Sequence, residues 1–212
     1  DGYIVYHPTR SGEKIDVTGG WHDATDYLQY TATSSNAIYQ MMLAYQQNPE
    51  SFGDAYQANG HPGSNGIPDI VDEIKWGLDW LNKMNPEKGM MFNQIADDRD
   101  HAGFRLPTRD SVDYGWGKGS KVLSGFYPDF AKEIGAKAAD AFDLGVQYPG
   151  ACQTAPGSAP YFYEEDNWVD DMQLAAVELY KSTKDEKYMK LAVNYGRMEP
   201  VTPWMGADSA RH

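Results

Sequence analysis

The stretch that most constrains this fold is IPDIVDEIKWGLDWLNKMNP, residues 67–86. Ile70, Ile74, Leu78 and Leu81 recur at spacings of four and three, the period of one helix face. Pro68 suits the first turn, Asp69, Asp72 and Glu73 complement the positive end of the dipole, and Asn85-Pro86 stops the helix. Such a helix is stable only if its apolar face is covered. The chain offers matching segments. Ile38, Met41, Met42 and Tyr45 predict a helix over 34–47. Phe130, Ile134, Ala138 and Phe142 predict one over 129–148. Residues 168–181 and 186–196 predict a helical hairpin around Ser-Thr-Lys-Asp-Glu. Residues 1–30 read as loop with short extended pieces. No internal repeat or linker stands out. Helices alternating with long loops point to a single all-α domain with its site on the loops.

Those loops are unusual in content. Residues 88–119 show little helical periodicity yet hold Phe104, Tyr114, Trp116, His101 and several aspartates, a poor composition for disorder. Aromatic residues make up 13% of the chain, with fifteen Tyr and six Trp. Such rings suit the faces of sugars and equally a helical core. The formal net charge of −13 leaves no basic surface for nucleic acid, and no apolar run reaches the length of a membrane span. The lone cysteine, Cys152, excludes an internal disulfide framework and has no visible activating cation. Both ends read as cut, so the lack of a signal peptide carries no information.

IDVTGGWHDATDYLQY, residues 15–30, concentrates acids beside an aromatic ring. Asp23 and Asp26, three apart, can point to one side if they sit at a helix start. Two carboxyls so placed are too close to act as acid and base on opposite faces of a sugar ring, but both can handle one water. The plainer reading makes Asp23 an N-cap, with Asp26 completing a capping box.

The surrounding residues favour the chemical reading. DVTGGWHDATD, residues 16–26, resembles the D-V-S-G-G-W-x-D-A-G-D signature of glycoside hydrolase family 9, the inverting cellulase family, with Thr25 in place of the usual glycine. The helix over 67–86 resembles that family's D-x-x-D-E-x-x-W-G-x-D-(Y/W)-L. FNQIADDRDHAGFRLPTRD resembles the following Q-V-G-D-x-x-x-D-H-x-x-W-x-R-P-E-D loop, with a leucine inserted between Arg105 and Pro107. NWVDDMQLAAVELYKSTKDEKY resembles the helix Y-x-D-E-L-x-W-A-A-x-W-L-Y-x-A-T. Four motifs in order span most of the chain.

The resemblance implies that residues 1–212 are part of one (α/α)6-barrel catalytic domain, incomplete in this chain. The implied activity is inverting hydrolysis of β-1,4 or mixed-linkage glucan outside the cytoplasm, in a secreted, periplasmic or cell-surface bacterial protein acting as a monomer. It makes Asp26 the general base and Asp23 the group that holds the water. It makes His101 a sugar contact; Trp21, Arg105 and Trp116 are further candidates, and His22 is either a contact or an ordinary hydrogen-bonded loop histidine. Trp116, Tyr161, Tyr163 and Trp168 lie on or beside loops and are candidates for stacking, whereas Trp76 and Trp80 read as helix core. The family's general acid is a glutamate near the end of a much longer domain. Glu164, Glu165 and Glu199 belong to other motifs, so that role is unassigned. The rival is a non-catalytic carbohydrate-binding domain that keeps the acidic groove.

YEEDNWVDD clusters acids at a helix start, which its dipole alone explains. An oxygen-only set also suits Ca²⁺, and the resemblance implies calcium at Asp166, Asp170 and Asp171, the last in place of the family's glutamate. No organic cofactor is implied. ADDRDH lacks a second histidine for a transition metal. Compared with the family, the step from Gly119 to Ser120 omits most of a barrel helix, which predicts a break in the chain there.

Overall fold

The computed structural model describes residues 3–4, 14–24, 27–88, 91–95, 106, 130–150 and 167–199. The expected break at Gly119–Ser120 falls outside them. Residues 1–127 and 128–212 form two compact units.

In the first unit, β1 (Tyr3–Ile4) pairs antiparallel with β2 (Lys14–Ile15), and β3 (Gln29–Tyr30) with β4 (Gln94–Ile95). Helix α1 spans Thr31–Gln47 and, after a short 3-10 turn at Pro49–Ser51, α2 spans Asp69–Met84. Helix α1 packs on α2. It begins at Thr31, earlier than the periodicity predicted, because Tyr30 still holds extended geometry as the last ladder residue. Asp23 therefore caps no helix. The ladder stands between it and α1, which removes the N-cap reading of this residue.

The buried face of α2 is Ile74, Gly77, Trp80 and Met84. Val17 from the preceding loop and Ile95 from β4 complete a core with Trp80 and Met84, flanked by Leu81 and Phe92. Trp80 is 1% exposed, as expected of a core residue, but Trp76 is 49% exposed. Trp76 stands one position before the buried Gly77, and that 100° step turns its ring to the surface.

The second unit contains α3 (Phe130–Gln147), α4 (Val169–Thr183) and α5 (Glu186–Met198). The predicted hairpin is realised by α4 and α5. Lys184 closes α4 in the left-handed region at φ 59°, and Asp185 caps α5 by accepting from the Lys187 N–H at 2.9 Å. Phe142, Ala176, Leu179, Tyr188, Ala192 and Tyr195 form its core. Trp168, a candidate for stacking on a sugar, packs edge-on against Tyr195 at 6.0 Å.

Asn167 ties the two ends of the hairpin together. Its side-chain oxygen accepts from the Val169 N–H at 3.2 Å, and its amide donates to both Glu199 oxygens at 3.0 and 3.2 Å. Asn167→Ala removes a helix-start acceptor and leaves a partly buried carboxylate short of a donor. The expected loss is about 1–2 kcal/mol. Urea unfolding of the variant checks it.

Candidate active site

Residues 16–21 run along one face of α2, from its carboxyl end toward its amino end. The Asp16 carboxylate accepts from the Thr18 N–H at 2.9 Å and lies 3.7 Å from Lys83 Nζ. The Thr18 hydrogen bond is the main cause that holds the Asp16 carboxyl below its ordinary range, with Lys83 adding to it. Lys83 Nζ donates to the Thr18 carbonyl at 2.6 Å. The Gly19 carbonyl accepts from the buried Gln29 amide at 2.8 Å.

Gly20 comes next, at φ 67°, so close to α2 that a Cβ there would stand 2.6 Å from the Trp80 ring. Only glycine fits both the conformation and the gap. Its carbonyl accepts from Trp76 Nε1 at 3.0 Å. Trp21 then lies over Gly77, where a Cβ would collide with the edge of its ring and stand 2.7 Å from Ile38. The Trp21 indole donates to Glu73 Oε1 at 2.6 Å. Positions 73, 76, 77, 80 and 83 are one helical stripe, and each receives a part of the loop.

This clasp delivers Asp23. Its N–H donates to the Leu28 carbonyl at 2.8 Å, closing a short loop whose ends are fixed. The carboxylate belongs to a half-buried residue. His22 is exposed, with its ring 4.9 Å from that of Tyr27. Asp26, the expected base, sits in sequence between the two tied ends but, like Thr25, lies outside the described residues. So do His101, Arg105, Trp116, Tyr161, Tyr163 and Asp166.

A cleft of about 450 Å³ opens beside Trp21, walled by Tyr56, Trp76, Asp69, Asp72 and Glu73 among others. Asp23 and His22 are not among its walls. Loop 53–67 forms one side. The Asp54 carboxylate organises it by accepting from Ser64 Oγ at 2.6 Å, Asn65 N–H at 3.0 Å and Gly66 N–H at 2.7 Å. The Ser64 bond is the chief reason its carboxyl lies below the ordinary range. Asp69 accepts from the Ala55 and Tyr56 N–H groups, the latter at 2.9 Å. Composition alone marks this stretch as a loop full of turn residues. The available signal was an aspartate at each end of an Asn/Gly-rich run, a pattern that can satisfy loop N–H groups.

At the start of α4, Asp170 and Asp171 are adjacent and exposed. Burial of one side of Asp171, then the Asp170 charge, push its carboxyl above the ordinary range. Among the described residues no set of three or more His, Cys, Asp or Glu is arranged to hold a metal. No helix among them is long and apolar enough to cross a membrane.

The helices are those of an (α/α)6-barrel fold. A solved structure described as Bacteroides ovatus GH9 superposes with a TM-score of 0.71 at 24% identity, over 98% of this chain and 44% of its own. The sequence profile described as Glycosyl hydrolase family 9 matches residues 2–115 and 117–209, and the chain belongs to that family. A cellulose 1,4-beta-cellobiosidase of Acetivibrio thermocellus is 27% identical over 84% of this chain and 24% of its own length. A cellodextrinase of Butyrivibrio fibrisolvens is 28% identical over 83% of this chain and 35% of its own. The chain thus spans about a quarter to a third of these two relatives.

Proposed function

We propose that this chain supplies the water-activating half of the active centre of an inverting hydrolase of β-1,4 or mixed-linkage β-1,3/1,4 glucan, of the cellulase or endoglucanase type. The observation that carries the reading is the clasp. Gly20 and Trp21 of the Gly-Gly-Trp motif hold the loop that bears Asp23 against α2. A loop needed only as a connection has no use for such fixation. The names of the relatives, a cellobiosidase and a cellodextrinase, support the glucan substrate.

In the proposed chemistry Asp26 takes the proton of a water as that water attacks the anomeric carbon, and Asp23 accepts the second proton in a hydrogen bond and orients the nucleophile. Inversion needs the proton donor on the opposite face, about 6.5–9.5 Å from the base. Glu199 does not suit that role, since its carboxylate is engaged by Asn167. His101, Arg105, Trp116 and His22 are the proposed sugar contacts. Trp21 offers its ring only, because its N–H is committed to Glu73. The protein works as a monomer, secreted, periplasmic or at the cell surface. The test is release of reducing sugar from barley β-glucan and soluble cellulose by the native protein, with the first product anomer followed by NMR. An α-anomer supports the reading. A β-anomer or no release refutes it.

Calcium is the proposed ion at the start of α4. Asp170 and Asp171 present oxygen donors only, side by side and open to solvent, which fits a hard cation; Asp166 is the proposed third ligand. Bound calcium would hold the start of the hairpin. Millimolar calcium is expected to raise the melting temperature of the native protein, and chelator to lower it, because the ion binds the folded state alone. In Asp170→Asn the calcium response should vanish. A melting curve indifferent to both additions leaves these acids as helix-dipole residues.

A further inference from the structure

We infer that the cleft between loop 53–67 and the amino half of α2, which Asp23 does not line, binds a neutral pyranoside as a holding site for a glucan segment. Two indoles and a phenol define its apolar walls. Trp21 and Trp76 each spend their single polar atom inward, on Glu73 at 2.6 Å and on the Gly20 carbonyl at 3.0 Å. An indole is a donor only, so what both rings offer the cleft is hydrocarbon. Trp76 is 49% and Tyr56 52% exposed, on elements that had other faces to bury. Tyr56 is held in place through its own N–H by Asp69 at 2.9 Å, and its loop is braced by Asp54. The cost of ordering the site is thus met before a ligand arrives.

The polar rim selects the ligand class. Asp72 accepts from the Asn65 amide at 2.7 Å, Glu73 from Trp21, and Asp69 from two backbone N–H groups. A carboxylate has about four acceptor positions, so each retains capacity for hydroxyl donors. Three carboxylates repel a phosphate or carboxylate ligand, and an aliphatic ligand would strip them of water without replacing its hydrogen bonds. An organic cation matches the charge and the rings, but one without hydroxyls leaves the open acceptor positions of these carboxylates unfilled, and it is a competing arm of the test. A pyranose ring has C–H faces for the aromatic walls and a rim of hydroxyls for the acids. The volume of about 450 Å³ lies in the usual range for small-ligand clefts.

The choice of glucan over another neutral sugar rests on the proposed function. The test uses cellotetraose and the native protein carrying this chain. Binding is measured calorimetrically in an Asp26→Asn background, so that the probe survives. Tyr56→Ala should weaken one binding event by about tenfold, the loss of one stacked ring, and should lower turnover of β-glucan relative to that of a short aryl cellobioside. Trp76→Ala should do the same where its melting temperature shows the loop clasp intact. Unchanged cellotetraose affinity in both variants overturns the site. So does an equal loss on polymer and cellobioside, which would make the cleft part of the catalytic groove. Competition by tetramethylammonium without cellotetraose binding would assign it to cations instead. Cellotetraose binding that depends on Tyr56, in a protein that hydrolyses no glucan, would refute the proposed function and leave this inference standing.

Discussion

Gly77→Ala is expected to destabilise the first unit by about 2 kcal/mol, although alanine is the better helix former. Propensity alone favours the variant by about 1 kcal/mol in mid-helix. Packing decides against it. The added methyl would overlap the edge of the Trp21 ring and stand 2.7 Å from Ile38, both far inside contact distance. Neither neighbour shifts without a cost. Trp21 is anchored by Glu73, and Ile38 is 3% exposed on α1. Overpacking of this kind costs about 1–3 kcal/mol and sometimes more. The sign is therefore the test: denaturant unfolding that finds the variant more stable than the parent would mean that Trp21 does not lie over Gly77. Because Trp21 stands two residues before Asp23, the same variant should also lose activity while keeping its helical circular dichroism.

Asp26→Asn should lower kcat on β-glucan by about 10²–10⁴-fold with little change in KM. Asparagine keeps the size and hydrogen-bonding ability of the side chain but cannot accept the water's proton. Asp23→Asn removes an orienting partner and leaves the base, so its loss should be smaller. Comparable effects of the two substitutions would mean that the pair acts as one unit. A kcat for Asp26→Asn within a few-fold of the parent would remove the residue from the mechanism.

The helices were legible because their signals are local. The period of three and four in residues 67–86 and the punctuation around Lys184 placed α2, α4 and α5 to within a few residues. The motif around Asp23 was legible as a pattern, and the structure supplies its reason: Gly20 and Gly77 are the two points where backbone and ring approach too closely for a side chain. What the sequence hid was non-local. The start of α1 depends on a ladder between Tyr30 and Gln94, sixty-odd residues apart in the chain. The exposure of Trp76 depends on which side of α2 the incoming loop occupies, and hydrophobicity alone sends a tryptophan inward. The order of loop 53–67 comes from carboxylates accepting backbone N–H groups, an arrangement that leaves no periodic trace.

The clasp also has a consequence in time. Its hydrogen bonds join residues 52 to 65 positions apart, the longest between Lys83 and Thr18. At about 5–20 residues added per second during synthesis, the loop bearing Asp23 leaves the ribosome roughly 3–13 s before the end of the helix that will fix it. Through that interval its glycines have no partner surface, and its aspartates are held in no useful geometry. Assembly of the loop must follow α2, so this segment acquires its working shape only after a helix made later than itself. A substitution that slows formation of α2, even one remote from the aspartates, would prolong the exposure of this segment to proteases during biogenesis.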